Sequence, residues 1–264
     1  MAPVTVSRSA PALSRAVLSV LGILTLLAVW SLVVVARLLP ANFLPGPWTV
    51  CGQIVELLHQ PYAGHLLQEH LLASLKKFAT SYTLAVLIGV PLGLAIGRFR
   101  FFNLALLPLL EGFRFIPPIA WVPFSILWFG TGILSPAFVI FAGALFPCLL
   151  NSYRGAQMID RSIVEAAQML GVGRWRMMRE ILLPGALPQI IAGMRVSAGF
   201  GWQSLVGAEL IVGSTGLGYM IVQGESNLDA AVVLAGMVVI GVTGAIIDYA
   251  MLGIQNRVRR NWGG

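Results

Sequence analysis

Twenty-one consecutive residues, Ala16 to Ala36, carry no charge. The apolar core of a secretory signal peptide runs about 7–15 residues, whereas a membrane-spanning helix needs about 20. The stretch therefore reads as a first transmembrane helix, retained as an anchor. Similar apolar stretches recur along the chain, and only 10% of its 264 residues are charged. Soluble domains are about 25% charged. A chain of this kind folds as one polytopic helical domain, because a bilayer accepts only helices and closed barrels.

Five further spans follow. The second is expected from about Phe78 to Gly97, flanked by Lys76, Lys77, Arg98 and Arg100, with Pro91 inside. The third, Asn103 to Phe129, holds Pro108, Pro117, Pro118 and Pro123. No straight helix carries so many prolines, each of which removes a hydrogen-bond donor, so a kinked or broken span is predicted. The fourth runs from Ile133 to Asn151, the fifth from Leu187 to Val212 and the sixth from Ala230 to Gly253. Before the second span, Asn42–Pro47 reads as a turn-rich loop. From Trp48, apolar residues at 48, 51, 54, 55 and 58 suggest a short amphipathic helix lying at the interface. Residues 1–15 form an N-terminal segment, 16–253 the six-helix domain with a polar insert at 152–186, and 254–264 a basic tail.

Six spans place both termini on one side, and the positive-inside rule chooses it. The termini, residues 98–100 and the insert together hold 12 Lys and Arg. The opposite side holds three: Arg37, Lys76 and Lys77. The insert and both termini are therefore expected in the cytoplasm. This asymmetry accounts for most of the +7 net charge without nucleic acid. Cys51 and Cys148 fall at different depths and are not expected to pair. His59, His65 and His70 read as solvated residues in an external segment, with no spacing of a metal site.

The insert, Glu165 to Pro184 above all, reads as two short helices. Asp160 or Ser162 caps the first, Gly171 and Gly173 make the turn, and Pro184 ends the second. Ala166 and Ala167 offer a small-residue face for close approach, and Arg174, Arg176 and Arg179 add charge. Glu165-Ala166-Ala167, three residues, Gly171, nine residues, Ile181, one residue, Leu183-Pro184 resembles the EAA loop of bacterial ABC importer permeases, spacing included. Ile116-Pro117-Pro118-Ile119-Ala120-Trp121, Leu127-Trp128-Phe129-Gly130 and Gly216-Leu217-Gly218-Tyr219 resemble the subgroup that handles sulfonates, taurine, nitrate and related solutes. Gly201-Trp202 through Ala208-Glu209-Leu210-Ile211 looks taurine-permease-like.

The resemblance implies an all-α integral membrane protein of the type I ABC importer permease kind. It implies coupling to an ATPase through Glu165, Ala166, Ala167, Gly171, Ile181, Leu183 and Pro184. It also implies a homodimer with a second permease copy, two cytoplasmic ABC ATPase subunits and an extracytoplasmic substrate-binding protein at a bacterial inner membrane. ATP would close the ATPase dimer and the loop helices would follow, turning the cavity from inward to outward. The expected cargo is taurine or another alkanesulfonate, with nitrate, bicarbonate or a vitamin-precursor heterocycle open. The chain has no GxxxxGK[ST], so ATP and Mg belong to the partner ATPase and no cofactor is expected here. Two other classes make different demands on the sequence. An ion-driven secondary transporter predicts an internal repeat and a midplane ion site. A membrane enzyme needs a metal cluster or a nucleophile–base pair near a face.

Within the spans, ionisable residues mark candidate pathway positions. Arg195, Gly199, Trp202, Val206 and Glu209 advance in steps of three and four and share a helix face. Trp202, Gln203 and Glu209 either line or gate the pathway or pack helix against helix with polar glue. A bare Glu209 carboxylate would repel nitrate or a simple sulfonate more than zwitterionic taurine, unless N–H groups of the 213–218 loop satisfy it. Glu111 and Arg114, at i and i+3, either form an ion pair or leave Arg114 as a cation for a passing anion. Asp248 reads as a snorkelling residue near the end of the sixth span.

Overall fold

The computed structural model describes residues 12–40 and 43–262. Residues 1–11, most of the N-terminal segment, lie outside the described residues, as do Asn42 of the turn-rich loop and 263–264. Apart from one isolated β-bridge between Tyr62 and His65, the described chain has only helical regular elements. Its elements are α1 (Ala12–Val35), α2 (Pro47–His59), α3 (Leu67–Arg98), α4 (Arg100–Phe113), a 3₁₀ turn (Pro118–Trp121) and α5 (Val122–Phe129). Then come α6 (Leu134–Gln157), α7 (Arg161–Met169), α8 (Arg174–Arg176), a π-helical segment (Met177–Leu182), α9 (Leu183–Val212), α10 (Leu217–Ser226) and α11 (Ala230–Trp262).

Among the described residues, four helical rods are long and apolar enough to cross a membrane: α3, α6, the continuous Met177–Val212 and Ala230–Arg260 of α11. The pair Arg100–Phe113 and Pro118–Phe129 makes a fifth crossing if counted as one broken span, bent by 95°. The break falls at Pro117-Pro118, as expected. The described apolar part of α1, Val20–Val35, is shorter than the roughly 20 residues a span requires, so six spans are not reproduced as such. Arg257, Arg259 and Arg260 lie on the last turns of α11 and not on a separate tail.

The α3, α6 and α9 helices form the centre, with α6 packed against both others. Glycine permits the closeness. A Cβ at Gly93 would overlap the Leu149 carbonyl, and one at Gly97 would sit 2.7 Å from Ala156. Gly89, Gly93 and Gly97 recur every four residues, so one small-residue face of α3 lies against α6. On the other flank α11 covers α9, and α10 wedges between α9, α11 and α3. A cluster of Phe78, Ile140, Trp202, Leu205, Leu217 and Met220 fills this region.

Three features differ in particular from the sequence reading. The α3 helix starts at Leu67, not Phe78, and Lys77 lies about 15 Å along it at 1.5 Å per residue. Pro184 does not end a helix: it occupies the first turn of α9 directly after the π-helical segment. There the wider i→i+5 turn makes room for the proline ring that would strike the carbonyl four residues back in a regular helix. The amphipathic α2 exists, but Val50 and Leu57 are its buried residues. Trp48, Cys51, Val55 and Leu58, assigned to its apolar face, are exposed. It packs beneath α11 and α3, and this rotates the buried face away from the one that spacing alone picks.

Candidate functional site

Two features at opposite ends of the bundle, and a cavity between them, carry the chemistry. At one end, α7 is a nine-residue amphipathic helix. Asp160 caps it, its Oδ1 accepting the Ser162 N–H at 3.0 Å. Backbone and side-chain hydrogen bonds from Ser162 hold the Asp160 carboxyl below the usual carboxylate range. The helix closes in a Schellman turn. Val172 N–H donates to Ala167 O and Gly171 N–H to Gln168 O, each at 3.0 Å. Gly171 takes φ +73°, which an L side chain pays about 1–2 kcal/mol to adopt.

The apolar face of α7 folds back on the π-helical segment. Ala167, Met177 and Leu182 are buried together, with Val164, Val172 and Ile181 packed around them. Ala167 and Ile181 are thus packing residues of the hairpin, and Ala167 does not join Ala166 on an exposed docking face. Glu165, Ala166 and Gly171 are exposed, Leu183 is exposed at the start of α9 and Pro184 is half-buried. Beside them stand large apolar side chains that none of the described residues covers. Met169 is 89% exposed and Leu170 84%, and Ile163 and Trp175 are exposed as well.

At the other end, Glu209 lies in the last turn of α9, where the helix dipole opposes a negative charge. Its side chain is fully buried, and Lys77 Nζ lies 2.9 Å from Oε1 with only 7% of its side chain exposed. The Ser74 hydroxyl faces both carboxylate oxygens at 2.9 and 2.8 Å, and Gly218 N–H donates to Oε2 at 3.0 Å. Lys77 Nζ also donates to the Thr215 carbonyl. The α10 N-terminus completes the knot: Leu217 N–H donates to Ser74 Oγ at 2.9 Å and Gly216 N–H to His70 Nδ1 at 3.2 Å. His70 Nε2, 3.0 Å from Tyr62 O, is then the protonated ring nitrogen.

Several expectations need correction here. Lys77 is a buried ion-pair partner, not an external flanking charge. His70 is buried, not solvated. Glu209 does receive an N–H of the 213–218 loop, but it is neither bare nor accessible in this conformation, so it says nothing about taurine against nitrate. Trp202 is buried, edge-on to Phe78, and its Nε1–H donates to Ile240 O at 3.2 Å. Gln203 is exposed and lines a cavity of about 390 Å³ with Arg195 and Asp248. Asp248 does not snorkel: its carboxylate takes two 2.7 Å bonds from Arg195 Nε and Nη2.

Glu111 and Arg114 are both exposed, and among the described residues no ion pair joins them. The Arg114 guanidinium sits 4.8 Å above the Phe115 ring, and Arg114 is among the residues lining a cavity of about 430 Å³ beside the Pro117-Pro118 break. Sequence reasoning missed Lys77, Ser74, His70 and Arg154, the last of which lines this same cavity. A signal existed for the first three. His70, Ser74, Lys77 and Ser81 are all buried and recur in steps of four, three and four, the periodicity that picked out the α9 stripe.

Such a chain is a multi-pass helical membrane protein that holds its centre by close helix packing and presents an uncovered helical hairpin at one end. The family described as the inner membrane component of binding-protein-dependent transport systems matches residues 86–260. Over 248 residues the chain is 35% identical to the taurine transport system permease protein TauC of Escherichia coli, covering 93% of this chain and 90% of TauC. It is 32% identical to the putative aliphatic sulfonates transport permease protein SsuC of Bacillus subtilis, over 84% of this chain and 79% of SsuC. To the nitrate import permease protein NrtB of Synechocystis sp. it is 28% identical, over 90% and 87%. The fold is that of the inward-facing methionine ABC transporter MetNI, with TM-score 0.64, 23% identity and coverage of 73% of this chain and 95% of that one. The chain belongs to the family of inner-membrane permease components of binding-protein-dependent ABC importers, in its taurine, sulfonate and nitrate branch.

Proposed function

We propose that this chain is the membrane subunit of an ATP-driven importer for taurine or another alkanesulfonate. Two copies form the permease, two ABC ATPase subunits bind at the α7 end, and an extracytoplasmic binding protein delivers solute at the α10 end. ATP and Mg are held by the ATPase. The observation that carries this reading is the α7 hairpin. It thrusts Met169, Leu170 and Trp175 outward on a rigid, capped support. Large exposed apolar groups rimmed by charge are what a partner surface covers.

The orientation rests on charge. With Lys77 withdrawn into the bundle, Arg37 and Lys76 remain as external cations against ten Lys and Arg in residues 98–100, the 152–186 insert and the last turns of α11, so α7 and the end of α11 face the cytoplasm. The MetNI-like fold supports a lever mechanism in which ATPase closure moves α7, and the π-helical segment passes the motion into α9. Glu165, Ala166, Gly171 and Leu183 stand at or beside the docking surface, while Ala167, Ile181 and Pro184 stiffen the lever behind it. The choice of taurine rests on the similarity to TauC.

The test is reconstitution with the partner ATPase and binding protein in proteoliposomes, followed by ATPase stimulation across taurine, other alkanesulfonates, nitrate and bicarbonate. Stimulation by loaded binding protein, greatest for a sulfonate, is expected. Failure of any ATPase subunit to co-purify with the intact chain would overturn the reading. Stimulation by nitrate or bicarbonate alone would move the substrate and keep the mechanism.

A further inference from the structure

The spans hold three kinds of ionic environment. Lys77 and Glu209 neutralise each other in the buried knot. Arg195 and Asp248 do so across α9 and α11. The cavity beside the Pro117-Pro118 break is different. Arg114 lines it from the end of α4 and Arg154 from the last turn of α6, both of them exposed, and among the described residues neither has a carboxylate partner. Neither Asp nor Glu lines it. Asn151, between them on the α6 wall, is already engaged: its Nδ2 donates to Pro147 O at 2.7 Å and its Oδ1 accepts from Gln189 at 3.3 Å. The remaining walls are apolar, among them Phe146 and Phe200. Two arginines at a largely apolar recess that no acidic residue lines bias its potential positive, and such a recess concentrates anions.

From this geometry we infer that the Arg114–Arg154 cavity is an anion-binding station of the permease itself, taking the sulfonate or similar oxyanion head of the solute. The inference rests on the importer reading above and deepens it. Guanidinium forks match the geometry of an oxyanion face, and a cavity of about 430 Å³ admits a small alkanesulfonate with its tail against Phe200. A zwitterion finds no carboxylate there for its ammonium, so the cavity reads the anionic head and leaves the rest of the molecule to the delivering protein. Phe200 also lines the second cavity, with Gln203 and the Arg195–Asp248 pair. A solute leaving the first would pass this aromatic into a charge-balanced space that does not hold an anion.

The experiment uses the full transporter in proteoliposomes, with isethionate as an anionic probe and taurine as a zwitterionic one. Arg114→Gln and Arg154→Gln are compared with Arg259→Gln, which lies on the last turns of α11. Each cavity variant should lower uptake per ATP hydrolysed by roughly 10-fold, the scale of one charge-assisted hydrogen bond, for both solutes. Stimulation of the ATPase by loaded binding protein should persist, and Arg114→Lys should recover part of the uptake. Unchanged coupling in both Gln variants overturns the inference. So does loss of stimulation in parallel with uptake, which would assign Arg154 to partner docking. Loss that appears only in vesicles containing anionic lipid would assign the arginines to lipid headgroups and overturn it too. If the unsubstituted transporter takes up no sulfonate at all, it is the choice of a sulfonate in the importer reading that fails.

Discussion

Replacing Lys77 by Met isolates the contribution of one buried charge. The substitution leaves the Glu209 carboxylate fully buried and without its 2.9 Å cation, and frees the Thr215 carbonyl that Lys77 also binds. Removing one partner of a buried ion pair costs about 3–5 kcal/mol. Here Ser74 Oγ at 2.8 Å and Gly218 N–H at 3.0 Å remain to solvate the carboxylate, so a value near the low end, about 3 kcal/mol, is expected. For a chain of this size that corresponds to a fall in Tm of about 6–12 °C. Glu209→Gln keeps an acceptor for Gly218 and removes the charge, yet strands Lys77, and should cost a similar amount. The double variant should then lose less than the sum of the singles, by about 2 kcal/mol. Tryptophan fluorescence melts in detergent suit the measurement, because Trp202 packs edge-on against Phe78, the residue after Lys77. Single-variant shifts within about 2 °C, or strict additivity in the double variant, would refute the ion pair as a structural element.

Other outcomes follow from the same geometry. Gly216→Ala forces an L side chain into φ +119° and drives its Cβ into the Glu209 carboxylate, so it should destabilise the protein as much as Lys77→Met and add little on top of it in the same melts. Gly171→Asp meets no atom within 4 Å but must hold φ +73°. The variant should fold and elute normally while loaded binding protein no longer stimulates the ATPase, and normal stimulation with normal transport would argue against the lever. Asp160 titrates below the usual carboxylate range because Ser162 donates to its charged form, so its cap stabilises α7 above the ordinary carboxylate pKa and is lost only as pH falls through the lowered folded value. Coupled ATPase activity should therefore keep its Asp160-dependent part down to roughly pH 4, and Asp160→Ala should weaken coupling across the neutral range where Asp160→Asn, which retains an acceptor, does not.

How much was legible in the sequence follows from how local each signal is. Long uncharged runs, the Pro117-Pro118 break, the Asp160 cap and the Gly171 turn depend on residues a few positions apart, so composition and spacing alone determine a helical membrane protein with a hairpin insert. The insert's spacing pattern identified the family for the same reason. The fate of charge is not local. Lys77 looked like a flanking residue because hydropathy assumes that a lysine seeks water. Glu209, 132 positions away in sequence, cancels that cost, and only the packing of α3 on α9 brings the two together. Likewise Ala167 turned inward because the π-helical segment folds over it, and α2 rotated because α11 lies above it. Arg114 and Arg154 became one positive recess only when the broken span met the α6 wall. Local spacing was enough to read the helical membrane architecture and the hairpin; which charges are buried, which meet a partner and which are left facing a cavity came only from the packing, because the energy of a buried charge depends on what lies within a few ångströms of it.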